Sequence, residues 1–346
     1  MAKILSIHTD KEACDVVLAK ALQSGHTSFL LGSGASMPAI SIAGDIESEL
    51  DKLLEEDEGK YEERKFEFLS EIQEVTNRLV AHSENAVESE TLESYAVFMG
   101  ILGRILEERK TSLLPKQMTI FTTNYDVFPE RAAEQVISAR LNDGFDRVPS
   151  LSNTFKFEPG HFFDVTEKTG NLYKYKYPVP SLNLIKLHGS LTWSQDKNQL
   201  FFRSGAFSIP DKGDADFAKT SKDFLDAFSL ILPTKKKFNQ TLMERVYYDL
   251  LRIFANTMEI ENSALISFGF SFEDEHILDI TQRALKNPTL ILIVLAFSEG
   301  SAAGYQEKFE QYNNVIVLHP DGEKNLDFPA FNSLLTEVIP KENHES

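Results

Sequence analysis

Four short runs of small and polar residues carry the types and spacing that chemistry needs, and each follows an apolar run of strand character. The first is Gly32-Ser33-Gly34-Ala35-Ser36, after residues 28–31. Glycines there let a backbone approach a pyrophosphate with no Cβ in the way, and the N–H groups of a helix start supply partial positive charge. The run therefore reads as a phosphate cradle leading into the first turn of a helix that tolerates Pro38, with ordinary tight-turn chemistry as the competing reading. The dehydrogenase fingerprint is not met. Met37 stands where its third glycine would fall, and the region about 20 residues on, where a ribose-binding acid should end a strand, is helical in pattern. The second run is Thr122-Thr123-Asn124-Tyr125-Asp126. Period-two geometry sends Asn124 and Asp126 to the same side of an extended exit, although an Asn-x-Asp turn capping a helix near Pro129 uses the same residues. The third is His188-Gly189, where the glycine opens the backbone beside a histidine able to move a proton, and the fourth is Gly269-Phe270-Ser271-Phe272. A lone histidine is more often structural than catalytic, so its reading depends on what surrounds it.

To bring these runs together the chain needs a sheet, because ligands of open parallel sheets sit at the strand ends. Apolar runs predict strands at 28–31, 118–122, 184–187, 265–268, 290–295 and 315–318, the fifth ending near Ser298. Helical spacing is found at 8–25, at 241–258, after Asp274, and three times over within 45–110. The expected fold is α/β, a doubly wound, mostly parallel Rossmann-like sheet of about six strands in a single domain, 1–346. A helical insertion occupies 45–110, and the tail at 341–346 is expected to be disordered. Within the insertion Tyr95, Phe98 and Leu102 share a helical face that packs either on the sheet or across a subunit interface. The acid run Glu55-Glu56-Asp57-Glu58 reads as a solvated helix end ahead of a metal site. Residues 140–182 are irregular and aromatic. The alternation of Lys174 and Lys176 with Tyr173, Tyr175 and Tyr177 fits an exposed hairpin or oligomer contact better than stacking on nucleic acid. Residues 195–222 read as a polar hairpin or loop, and Lys235-Lys236-Lys237 as a solvated basic face or an anion or partner contact.

Composition narrows the class. A chain of 346 residues with 42% apolar content can bury a large core, and its longest apolar run, 290–297, is too short to span a bilayer. The N-terminus lacks the apolar region of a secretory signal, and Cys14 alone can build neither an internal disulfide nor a multi-cysteine zinc site, which fits a reducing cytoplasm. A net charge of −18, from 35 basic and 53 acidic side chains, argues against non-specific binding to nucleic acid.

The order of the four runs on successive strand ends resembles the sirtuin family of NAD-consuming enzymes, and in particular its bacterial sirtuin-like branch in antiphage defence. The resemblance covers roughly 25–40 and 115–320, with the helical insertion outside it. It implies that the glycine-alanine turn takes the NAD⁺ pyrophosphate, that the Asn and Asp contact nicotinamide and its ribose, and that the histidine is the catalytic base. By motif match the catalytic roles fall on Asn124, Asp126 and His188, and the cofactor contacts on Gly32, Gly34, Ala35, Ser36, Thr123, Gly269 and Ser271. Ser298 matches only by its place after the fifth strand. The stretch 269–277 looks like the form this motif takes in the defence branch.

The departures shape the expected activity. Deacylating sirtuins follow the turn with Gly-Ile-Pro-Asp-Phe-Arg, where this chain has Met37-Pro38-Ala39-Ile40-Ser41-Ile42, and they carry a four-cysteine zinc module that one cysteine cannot supply. The resemblance therefore implies an NAD⁺ glycohydrolase that uses water and no metal, depletes NAD⁺ in antiphage defence, and works in a homo-oligomer. A HerA-type ATPase is a candidate partner, and the insertion is expected to gate the crevice. An NAD-dependent protein deacylase and a non-catalytic nucleotide-sensing scaffold are the alternatives.

Overall fold

The structure is a computed structural model that describes residues 1–41, 43–109, 114–147, 154–170, 175–196, 199–203, 205–228, 230 and 241–339. Tyr173, Lys174, Lys235 to Lys237 and the tail at 341–346 lie outside the described residues. The chain begins with β1 (Lys3–Ser6), α1 (Lys11–Leu22) and β2 (His26–Leu31), then three helices, α2 (Ala43–Glu56), α3 (Glu58–Val80) and α4 (Ala86–Glu108). There follow β3 (Gln117–Thr122), α5 (Phe128–Ala133), the short strands β4 (Arg140–Asn142), β5 (Phe145–Asp146), β6 (Thr154–Phe157), β7 (Glu167–Thr169) and β8 (Lys176–Pro178), and the long strand β9 (Ser181–Lys186). The last third holds β10 (Trp193–Asp196), β11 (Gln199–Arg203), α6 (Phe217–Asp226), α7 (Thr241–Glu259), β12 (Ser263–Phe268), α8 (Glu275–Ala284), β13 (Ile291–Leu295), α9 (Glu299–Lys308), β14 (Val315–His319) and α10 (Phe328–Glu337).

Eight strands form one parallel sheet in the order β1-β14-β13-β12-β2-β3-β9-β4. Alternate residues of its central strands feed two separate cores. Phe29, Leu31, Met118, Ile120, Ile293 and Leu295 face one side, with α1, α3, α4 and α10, whereas Leu30, Phe121, Leu292 and Val294 face the other, with α7 and α8. Helices on both faces of a parallel sheet make the fold doubly wound α/β, as expected. The strand count differs from the expected six because the edge strands β1 and β4 carry too few apolar residues to show a run, only Ile4 and Leu5 in β1 and only Leu141 in β4. From the centre, the chain leaves β2 toward β3 and β9, and leaves β12 toward β13 and β14. The topological switch point therefore falls between β2 and β12.

The three helices between β2 and β3 carry their own start signals. Asp57 caps α3 by accepting from the Gly59 and Lys60 N–H groups, which gives the acid run a structural role, and Asn85 and Glu88 close a reciprocal box at the start of α4. Tyr95, Phe98 and Leu102 are wholly buried; Phe98 meets Phe29 of β2 edge-on at 5.1 Å, so this face packs on the sheet and not across an interface. A second sheet, β10-β11-β6-β5, gathers the aromatic residues of the irregular region, with Trp193 at 5.6 Å from Phe145 and 5.4 Å from Phe157. Strands β7 and β8 form a separate hairpin that exposes Tyr175 and Tyr177, stacked at 5.9 Å. Among the described residues no helix is long and apolar enough to cross a membrane.

Candidate active site

The four strands at the switch point, β12, β2, β3 and β9, are neighbours, and all four of the singled-out runs emerge from their carboxyl ends. Together they line a cleft whose empty space, open solvent included, is about 610 Å³. Ser36, Thr123, Asn124, Asp126, His188, Gly269 and Ser271 all line it.

After β2 the chain makes a single 3-10 turn, Ser33–Ser36, and not the start of a long helix; α2 begins only at Ala43, so Pro38 lies in the connection. Gly32, Gly34 and Ala35 do not line the cleft, because they are turned against the loop after β12. The Gly32 N–H donates to Phe268 O at 3.1 Å, the Gly34 N–H to Gly269 O at 3.0 Å, and the Ala35 N–H to Gly32 O at 3.0 Å. A Cβ on Gly32 would lie 2.4 Å from Gly269 O, one on Gly34 2.7 Å from Gly269 Cα, and one on Gly269 2.7 Å from Ala35 N. Gly269 also has φ +64°, a conformation that favours glycine. The glycines thus serve first to let two loops touch backbone to backbone. Ser298 also lies apart from the cleft: its hydroxyl accepts from the Ser301 N–H and caps α9.

After β3, Asn124 and Asp126 face the cleft, and the cap position of α5 is Val127, which makes no side-chain cap bond. Asp126 Oδ1 accepts from the Phe128 N–H at the start of α5. The Ser36 hydroxyl donates to Asp126 Oδ2 at 2.7 Å and lies 3.0 Å from the Tyr95 hydroxyl. The Asn124 amide donates to Gly32 O and to Ser36 Oγ, each at 3.0 Å. Burial pushes the Asp126 carboxyl up from its ordinary value, and nearby Lys186 and the Ser36 hydrogen bond hold it down only in part. Burial also pushes the Tyr95 phenol far above its usual range, so it acts here as a hydrogen-bonding hydroxyl. Beneath the cleft, Lys186 is buried between Glu130, at 2.8 Å, and Ser190 Oγ, at 3.0 Å, and also donates to the Asp126 main-chain carbonyl. Glu130, too, is pushed up by burial, with Lys186 opposing.

After β9, Gly189 takes φ +85° and turns the chain so that His188 faces the cleft. The histidine is buried and neither ring nitrogen has a hydrogen-bond partner. Its Nε2 lies 3.0 Å from Asp274 Oδ2, an ion-pair distance reached off the N–H axis and so outside hydrogen-bond geometry. Burial alone would raise the Asp274 carboxyl; contact with His188 and the Ile277 N–H outweigh it and hold it at about 2.

Several lining residues were not singled out from the sequence: Ser33, Phe68, Ile72, Tyr125, Phe270 and Asp274 among them. Asp274 falls within the stretch 269–277 and before a helix but carries no assigned role there, and Phe68 and Ile72 belong to α3, inside the insertion. The lining includes three carboxylates, on Asp126, Glu273 and Asp274, and no Lys or Arg among the described residues. Such a site favours a cationic group or a centre that becomes positive during reaction. Among the described residues no group of three or more His, Cys, Asp and Glu gathers as a metal site.

No curated protein matches the chain. A family model described as SIR2-like domain matches residues 118–318, which is more than half of the 346 and includes three of the four strand ends that line the cleft. The chain therefore belongs to the SIR2-like family, whose members are NAD-dependent enzymes.

Proposed function

We propose that this protein is an NAD⁺ glycohydrolase that cleaves NAD⁺ with water to nicotinamide and ADP-ribose, with Asn124, Asp126 and His188 as its catalytic residues. The observation that carries the reading is His188, a buried imidazole without a hydrogen-bond partner, facing a cleft lined by carboxylates and by no cationic side chain among the described residues. The nicotinamide ring of NAD⁺ is cationic, and its departure leaves positive charge on the ribose, so both the substrate and the oxocarbenium-like transition state suit that lining. The C1′–N bond breaks with its electron pair going to nicotinamide, which leaves neutral. Water adds to C1′ and gives its proton to His188, so that the products are nicotinamide, ADP-ribose and a proton. With its amide nitrogen committed to Gly32 and Ser36, Asn124 would use its carbonyl oxygen to orient the water or the ribose. Asp126 would hold the carboxamide or steady the developing charge. The pyrophosphate would rest on neutral donors around Ser33, Ser36, Thr123, Gly269 and Ser271. Ser298 is left out of the site, and Gly32, Gly34 and Ala35 contribute shape more than contact.

The biological setting we propose is NAD⁺ depletion in bacterial antiphage defence, in the cytoplasm. The acting form would be a homo-oligomer with a HerA-type ATPase as candidate partner. Phe68 and Ile72 of α3 form a wall of the cleft, which supports the insertion as its gate. Incubation of the purified protein with NAD⁺, with and without an acyl-lysine peptide and with the candidate partner, tests the reading. Nicotinamide and ADP-ribose formed from NAD⁺ and water support it. Turnover that needs the peptide makes the protein a deacylase, and binding without turnover under every condition makes it a sensor.

A further inference from the structure

Asp274 faces the reacting histidine from the start of α8. One carboxylate oxygen, Oδ1, accepts from the His276 N–H at 2.9 Å and the Ile277 N–H at 3.1 Å, which fixes the group as the helix cap. The other, Oδ2, is thereby aimed at His188 Nε2, 3.0 Å away, with only 3% and 8% of the two side chains exposed. An ionised carboxylate can only accept, so the ring nitrogen beside it is favoured as the one that carries hydrogen. The off-axis approach is common in catalytic contacts before substrate is seated. Aromatic neighbours of the ring include Tyr125 and Tyr247 of α7, whose rings lie 6.3 Å and 6.2 Å from the imidazole, and His276 lies beyond Tyr247. Nδ1, the other ring nitrogen, is buried with no hydrogen-bond partner.

We infer that Asp274 is a positioning residue that holds His188 in the tautomer protonated on Nε2, leaving Nδ1 as the atom that takes a proton from water or ribose. The inference rests on His188 being the base. The unusually low value of the Asp274 carboxyl, about 2, is what a carboxylate held in its charged form by that neighbour would show.

The test is nitrogen NMR of protein labelled on its eight histidine rings, with the His188 signals assigned by their loss in His188→Gln, alongside steady-state turnover of NAD⁺. At neutral pH the wild-type His188 should be protonated on Nε2 and bare on Nδ1. Asp274→Asn keeps a good helix cap but presents an amide that can donate as well as accept. It should mix or reverse the tautomers and lower kcat by roughly 10²–10⁴-fold, with a smaller effect on KM. Asp274→Glu should recover part of both losses. Wild-type His188 protonated on Nδ1, or an unchanged tautomer and kcat in Asp274→Asn, would overturn the inference. If the wild type does not hydrolyse NAD⁺, the tautomer measurement still decides the role of Asp274, while the functional reading fails separately.

Discussion

The two sides of the cleft are built on opposite terms. On the side of β2 and β3, Ser36, Tyr95, Asn124 and Asp126 bond to one another and to the backbone, and both carboxylate oxygens of Asp126 have donors. On the side of β9 and β12, His188 is as deeply buried but has no hydrogen-bond partner on either nitrogen. The carboxylates follow suit, burial pushing Asp126 up while contact with His188 holds Asp274 at about 2. A closed polar network is stiff, whereas His188 is held only by its 3.0 Å ion-pair contact with Asp274 and keeps Nδ1 open. On the proposed reading, one side holds geometry and the other meets the reactant, an acid–base division set by environment.

The largest effect that would sharpen this contrast is in activity. His188→Ala should lower NAD⁺ turnover by roughly 10²–10⁴-fold while the fold persists, because Asp274, which loses its 3.0 Å ion-pair contact, is still held by the His276 and Ile277 N–H groups. Full activity in the folded variant would break the division of labour. Gly269→Ala should destabilise strongly, at or above the upper end of about 1–3 kcal/mol, since the new Cβ meets the Ala35 backbone and the residue has positive φ. Chemical denaturation measures it. If Gly269→Ala is as stable as the wild type, the two sides are not joined through that contact.

Two smaller effects follow. The Asp274 carboxyl is held below its ordinary 3.8, so its stabilisation is complete above about pH 4 and lost as pH falls through about 2. Asp274→Asn should thus cost about 2 kcal/mol near pH 4, where the imidazole is charged, with the gap to wild type closing toward pH 2. A gap that does not change with pH would mean that the charge contributes nothing. Tyr95→Phe removes one hydroxyl from the closed network and should cost about 1 kcal/mol in denaturation, with turnover reduced far less than in His188→Ala. An equal loss of turnover would place the reactant against the stiff side instead.

Much of this site could be read from the chain before its fold. The β2, β3, β9 and β12 signals are apolar runs closed by a small or polar residue, so strand ends and cleft-facing groups such as Asn124 and His188 shared one pattern. What escaped had a different cause each time. Asp274 looks like any helix cap, and its second oxygen acquires meaning only when β9 brings His188 to it. Tyr95 looks like a core aromatic because its ring is one, and only tertiary packing sets its hydroxyl on Ser36. Gly32 and Gly34 fit a phosphate cradle or an ordinary tight turn equally well in sequence, and only the fold shows the Gly269 backbone, more than 200 residues later, packed against them. The edge strands β1 and β4 hold only two and one apolar residues, too few to stand out as runs.

Phe68 and Ile72 have a practical consequence for inhibition. Together with Ser33, Ser36, Ile40 and Ser41 they line the cleft from residues that precede 118, where the family match begins. A compound that rests only on 123–126, 188 and 269–274 engages the part of the pocket described by the family pattern and should cross-react with relatives. Extending it onto Phe68 and Ile72 of α3 would add contacts from outside the matched region, and inhibition of this chain compared with that of relatives measures the selectivity gained.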